Sequence, residues 1–135
     1  MTLQLTKDGM DLGIVTTNGD AMLEFYRDVI GFEFEATLDM AAVGITMHRV
    51  WAGKSLLKLV VPHKTPEHTA VAGGMQTSTG MRYFTLSVSN LDEILADVEK
   101  SDCKVVWPRR QIRPGVDIGM VEDPDGNWVE FIETS

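Results

Sequence analysis

Residues 122–133 read Glu122-Asp-Pro-Asp-Gly-Asn-Trp-Val-Glu-Phe-Ile-Glu133, and they decide the fold because they mark where one strand ends and its partner begins. Pro124 presets one backbone torsion and Gly126 can take the positive φ that other residues resist, so residues 123–127 turn the chain and carry no chemistry. Beyond the turn, Val129 and Phe131 alternate with Trp128 and Glu130, the period of a half-buried strand. Residues 116–122 supply the preceding strand and residues 104–107 another. Before these, Leu91, Ile94, Leu95 and Val98 recur at helical spacing, with Asn90 and Glu93 placed as a helix cap, and residues 81–88 read as a strand. The order is β-α-β-β-β.

The same order occupies the first half of the chain. Residues 11–16 have a strand pattern, Met22, Phe25, Tyr26 and Val29 have helical spacing, and Gly31 closes the helix. Strand-like runs follow at 32–38, 43–51 and 55–61, the last two joined through Ala52, Gly53 and Lys54 as a tight hairpin. An offset of 72 residues carries Leu12 and Ile14 onto Phe84 and Leu86, Asn18 onto Asn90, and Leu57 and Leu59 onto Val129 and Phe131. Agreement of cap, turn and strand phase at one offset predicts a duplicated βαβββ module. Module one spans about 9–62, a Pro-, Gly- and Thr-rich connection 63–80, and module two 81–135, within a single domain covering 1–135.

The composition sets bounds on function. At 135 residues, with 44% hydrophobic and 24% charged residues, the chain is expected to bury one core. No run approaches the roughly 20 apolar residues that span a bilayer, and the N-terminus has no basic segment followed by an apolar run, so a cytoplasmic protein with no membrane partner is expected. The formal net charge of −8 argues against nucleic acid as a partner. Cys103 has no second cysteine to pair with and reads as a structural thiol.

Two stretches, Asp11-Leu-Gly-Ile-Val15 followed by Met22-Leu-Glu-Phe-Tyr-Arg-Asp-Val-Ile-Gly-Phe32, and the closing residues 122–133, resemble the vicinal oxygen chelate superfamily of glyoxalases, bleomycin-resistance proteins and ring-cleaving dioxygenases. The resemblance implies an α+β fold in which two βαβββ modules form a concave, partly closed sheet, with helices on the outer face and a small-molecule cavity inside. It also implies a divalent metal held by four inward residues, which fall here on Asp11, Lys58, Tyr83 and Glu130. Only Glu130 keeps the family's residue type. Relatives commonly pair modules between chains, so a homodimer is the assembly implied.

The repeat places those four residues independently, because the offset of 72 carries Asp11 onto Tyr83 and Lys58 onto Glu130. If Leu12, Ile14, Leu57, Leu59, Phe84, Leu86, Val129 and Phe131 face the helices, strand alternation turns the four toward the cavity. A lysine ammonium has no lone pair for a metal, so no metal is expected, and Asp11 and Glu130 are the ligands if one is bound. Lys58 then fills the cation's place, balanced by Asp11 and Glu130 and steadied by Tyr83.

Two roles remain for this cluster: mutual satisfaction of buried polar groups, or catalysis. In the catalytic reading Glu130 or Asp11 accepts a proton, Tyr83 donates one, and Lys58 stabilises an enolate-like oxygen, with Schiff-base chemistry at Lys58 a lesser option. The expected activity is metal-independent isomerase, epimerase or lyase chemistry on a small carbonyl-containing metabolite. The alternatives are a ligand-sequestering protein of the bleomycin-resistance type and a divalent-metal-dependent lyase or dioxygenase.

Pairing about Gly53-Lys54 sets Arg49 opposite Lys58 and Trp51 opposite Leu56. Met47, Arg49 and Trp51 then share the cavity side with Trp128 as a substrate-binding wall, and His48 faces the helix. Arg49 is expected to anchor an anionic group, or to bridge to Asp11 or Glu130. Arg109, Arg110 and Arg113 form a basic patch, either a solvated loop or a device steering anions. His63 and His68 lack ligand spacing, and Gly73-Gly74 would allow the connection to act as a lid.

Overall fold

In the computed structural model, which describes residues 2–135, the chain divides into two compact units, the first ending in sequence at Glu67 and the second beginning at His68. The first contains β1 (Leu12–Val15), α1 (Gly19–Leu23), β2 (Glu33–Met40), β3 (Ile45–Ala52) and β4 (Ser55–Pro62). Its sheet has the order β1-β4-β3-β2, with β1 parallel to β4 and the other pairs antiparallel. Helix α1 runs on as a wider π-helical segment, Glu24–Ile30, in which the amides of Gly31 and Phe32 both donate to the carbonyl of Tyr26. Gly31 stops it at φ 99°, a conformation open to glycine at little cost.

The apolar face of this helical stretch supplies Met22, Phe25 and Tyr26 to the core, alongside Val50, Leu57 and Leu59 from the sheet. Helix α1 lies so close to the sheet that a Cβ at Gly19 would stand 2.7 Å from Val61 and 3.2 Å from His48 Nε2. His48 and Val61 therefore face the helix, as strand alternation predicts for His48, and Met47, Arg49, Trp51, Lys58 and Val60 take the opposite face.

The second unit repeats this plan with β5 (Tyr83–Ser87), α2 (Leu91–Lys100), β6 (Lys104–Arg113), β7 (Val116–Glu122) and β8 (Trp128–Thr134), in sheet order β5-β8-β7-β6. Helix α2 buries Leu91, Ile94, Leu95 and Val98, each worth about 1.5–3 kcal/mol of apolar transfer. Gly119 permits the contact, since a Cβ there would come within 2.9 Å of Leu95. Register also repeats: Gly13 pairs with Lys58 in one sheet and Thr85 with Glu130 in the other, both pairs related by the predicted offset.

Two α+β modules of βαβββ order are thus present, and neither sheet is closed. Strand β6 runs six residues past its predicted end at 107 because it is an edge strand, where Pro108 costs no ladder bond. The expected cap by Asn90 and Glu93 is corrected. Neither Asn18 nor Asn90 caps its helix with its side chain; instead the amide of Leu91 donates to Glu133 Oε1 at 3.0 Å. Among the described residues, no helix is long and apolar enough to cross a membrane.

Candidate functional site

The inner face of the first sheet carries Asp11 at the mouth of β1 and Lys58 on β4. Lys58 Nζ stands 3.7 Å from Asp11 Oδ2, and Lys7 Nζ donates to Asp11 Oδ1 at 2.5 Å. Lys7 also lies 4.8 Å from the centre of the Trp51 ring. The segment bearing Lys7 is brought in by Gly9, where any side chain would collide with the Lys54 carbonyl of the β3–β4 hairpin. The hydrogen bond from Lys7, aided by the nearby charge of Lys58, holds the Asp11 carboxyl below the usual carboxylate range. Asp11 is therefore ionised and serves both ammonium groups as counter-charge.

Arg49 is taken up elsewhere. The ladder between β2 and β3 slips at a bulge between Phe34 and Ala36, and Glu35, the extra residue, accepts from Arg49 Nε at 2.6 Å and from Trp51 Nε1 at 2.8 Å. The expected bridge from Arg49 to Asp11 or Glu130 is replaced by this pair. Hydrogen bonds from Arg49 and then Trp51 hold Glu35 below its ordinary range. Glu33, Phe34, Glu35, Trp51 and Gly53 line an open recess at this end of the sheet.

In the second sheet, Tyr83, Thr85 and Glu130 share one face, and Tyr83 is 47% exposed. Thr85 Oγ1 donates to Glu130 Oε1 at 2.8 Å, and among the described residues Oε2 carries no hydrogen bond. Trp128 has the same phase but is buried. Its ring meets Trp107 edge-on, with centroids 5.7 Å apart, its Nε1 donates to Glu122 at 3.1 Å, and the backbone of Gly74 rests on its face. In the connection between the modules, Arg82 donates to the carbonyls of Gly74 at 2.7 Å and Val71 at 2.5 Å.

The basic patch divides. Arg109 is bound by Asp92 at 2.7 Å, Asp117 at 2.5 Å and Glu133 at 2.8 Å, which raises its affinity for the proton further and leaves no charge for steering. Arg110 lies 5.6 Å from the Trp107 ring centre. His63 sits beside Asp39 at 3.1 Å, and burial, its largest cause, pushes the Cys103 thiol up, away from nucleophilic use.

A divalent metal finds a poor donor set at the four positions. Lys58 offers no lone pair, Asp11 is engaged by Lys7 and Lys58, and among the described residues no three His, Cys, Asp or Glu side chains are grouped as ligands. Sequence reasoning missed Lys7, Glu35 and Thr85. Thr85 was within reach, since it shares the strand phase of Tyr83; Lys7 precedes the repeated module and Glu35 depends on a bulge.

The family model described as Glyoxalase/Bleomycin resistance protein/Dioxygenase superfamily matches residues 11–131. No curated protein matches the sequence. Among solved structures, a glyoxalase family protein from Bacillus cereus has a TM-score of 0.81 at 16% identity, over 98% of this chain and 96% of that one. A glyoxylase/bleomycin resistance protein/dioxygenase domain from Frankia has a TM-score of 0.75 at 14% identity, over 99% and 94%. The trypanothione-dependent glyoxalase I of Leishmania major has 0.70 at 18%, over 95% and 87%. At these identities the likeness is one of fold.

Proposed function

Because the chain belongs to the Glyoxalase/Bleomycin resistance protein/Dioxygenase superfamily, we propose that it catalyses metal-independent proton transfer, of isomerase, epimerase or lyase type, on a small carbonyl-containing metabolite. The observation that carries this reading is the placement of an ammonium, Lys58, where the family resemblance expects a metal ligand, with Asp11 beside it as counter-charge. In this reading the substrate carbonyl oxygen lies against Lys58, whose charge stabilises the enolate-like oxygen formed as a neighbouring C–H proton leaves. Asp11, the ionised carboxylate 3.7 Å from Lys58, accepts that proton. Asp11 then returns the proton to the product side.

The test is deuterium uptake from D2O into small ketones and 2-oxoacids, 2-oxobutanoate and dihydroxyacetone first, followed by proton NMR. Wild-type protein should speed exchange at the carbon next to the carbonyl, and Lys58→Ala and Asp11→Asn should each slow it by on the order of 100-fold. Unchanged exchange in both variants would sink the reading. Stoichiometric divalent metal in protein purified without an affinity tag, with activity lost on its removal, would replace it by a metal-dependent lyase or dioxygenase.

A second reading, sequestration without turnover, is favoured by the half-exposed Tyr83 ring and the recess beside Trp51. Tryptophan fluorescence quenched by a compound that is then recovered unchanged supports it, and product formation excludes it.

A further inference from the structure

Gly13 is an interior residue of β1, exposed on the inner face, and a Cβ built there would meet nothing within 4 Å. Its φ is not positive and no neighbour crowds it, so neither usual structural reason for a strand glycine applies, and glycine here costs stability relative to alanine. What glycine does preserve is space beside its register partner, Lys58. The repeat supplies the comparison: the matching residue in the second module, Thr85, fills that space and donates to Glu130 at 2.8 Å. Position 13 withholds from Lys58 the side chain that position 85 gives to Glu130.

The charges around that space do not cancel. Asp11 is shared by two ammonium groups, Lys7 at 2.5 Å and Lys58 at 3.7 Å, and Arg49, opposite Lys58 in the ladder, is already matched by Glu35. One positive charge is left over. It resides on Lys58, whose distance to Asp11 exceeds hydrogen-bond length and which, among the described residues, donates no hydrogen bond. Two residues further along both strands, Val15 pairs with Val60 on the same face, so the charged end of the notch opens onto an apolar wall.

We propose that Gly13 and Lys58 form a subsite for the carboxylate of a small monoanionic ligand with an apolar tail, the tail lying along Val15 and Val60. One surplus charge suits a carboxylate better than a phosphate dianion. The proposal rests on the small-molecule reading above and narrows its substrate class to short branched or straight 2-oxoacids.

The experiment is calorimetric titration with 3-methyl-2-oxobutanoate and with its methyl ester, which keeps the shape and removes the charge. The acid should bind at least tenfold more tightly than the ester. Gly13→Val, which fills the notch in a strand that tolerates valine, should lose at least tenfold in affinity with no fall in Tm, and Lys58→Gln should do the same, while Lys58→Arg keeps binding. Equal binding of acid and ester, no binding of the acid to wild type, or unchanged affinity in Gly13→Val would each overturn the subsite. Deuterium exchange at C3 of the same acid separates the two ideas. Tight, notch-dependent binding without exchange removes the catalytic reading and leaves the subsite. Exchange with an unaltered KM in Gly13→Val removes the subsite and leaves the catalytic reading.

Discussion

Gly74 lies against the face of the Trp128 indole, at a distance that leaves no room for a side chain. Its φ of 58° is also one that other residues resist. Gly74→Ala should therefore destabilise by about 1–3 kcal/mol through overpacking and backbone strain together. Denaturant unfolding of the variant should show a lower midpoint with an unchanged slope, and the quenching of Trp128 by acrylamide should rise as the 71–77 segment lifts.

Glu133 joins β8 to the start of α2, and the sign of its pH dependence follows from that. The Leu91 amide, and after it Arg109, hold its carboxyl below the ordinary range. A depressed carboxylate stabilises the fold above its unfolded pKa, and that contribution is lost as pH falls through the folded value. Thermal unfolding between pH 7 and pH 2 should show Tm falling on the acid side of about 4.3, the ordinary glutamate value. Glu133→Gln should lower Tm at pH 7 and flatten that acid limb; an acid limb as steep as wild type would show that other carboxylates dominate.

Glu35→Gln removes the anion that Arg49 faces and weakens the acceptor held by the Trp51 indole. Both groups are partly exposed, so stability should change little. The readout is the Trp51 indole N–H resonance, which should shift and exchange faster with water. A resonance unmoved by the substitution would mean that the bulge contact is not kept in solution.

Asp123 is buried, and its carboxylate accepts from the amides of Asp125 at 3.0 Å and Asn127 at 2.9 Å and from the Asn127 side chain. Asp123→Ala should cost on the order of 1–3 kcal/mol, since each stranded donor loses its partner. Equilibrium unfolding in urea measures it directly, and Asp123→Asn should recover part of the loss.

Periodicity makes much of the architecture legible in the sequence. The alternation of Leu57 and Leu59 with Lys58, and the Gly53-Lys54 turn, give the β3–β4 register correctly to the residue, with Arg49 opposite Lys58. Between β1 and β4 the 72-residue offset also holds, carrying the pair Gly13 and Lys58 onto Thr85 and Glu130, whereas in the second hairpin Glu130 faces Met120, one residue from the image of Arg49. Such features are legible because burial on one face imposes a period of two. The β2 bulge, the contact of Lys7 with Trp51 and the cap from Glu133 were not legible. Each joins residues on separate elements through side chains that no local period constrains. Arg109 shows the same limit, for a run of basic residues does not reveal three carboxylates drawn from a helix and two strands.

The cap on α2 has a consequence for biosynthesis. Its acceptor lies 42 positions downstream of the amide it serves, and β5 finds its parallel neighbour only in β8. A ribosome that has released α2 has released a helix whose first turn has no acceptor and whose strand has no neighbour. The second module therefore closes only after residue 133 has cleared the exit tunnel, and a pause before that point leaves β5 as an unpaired edge.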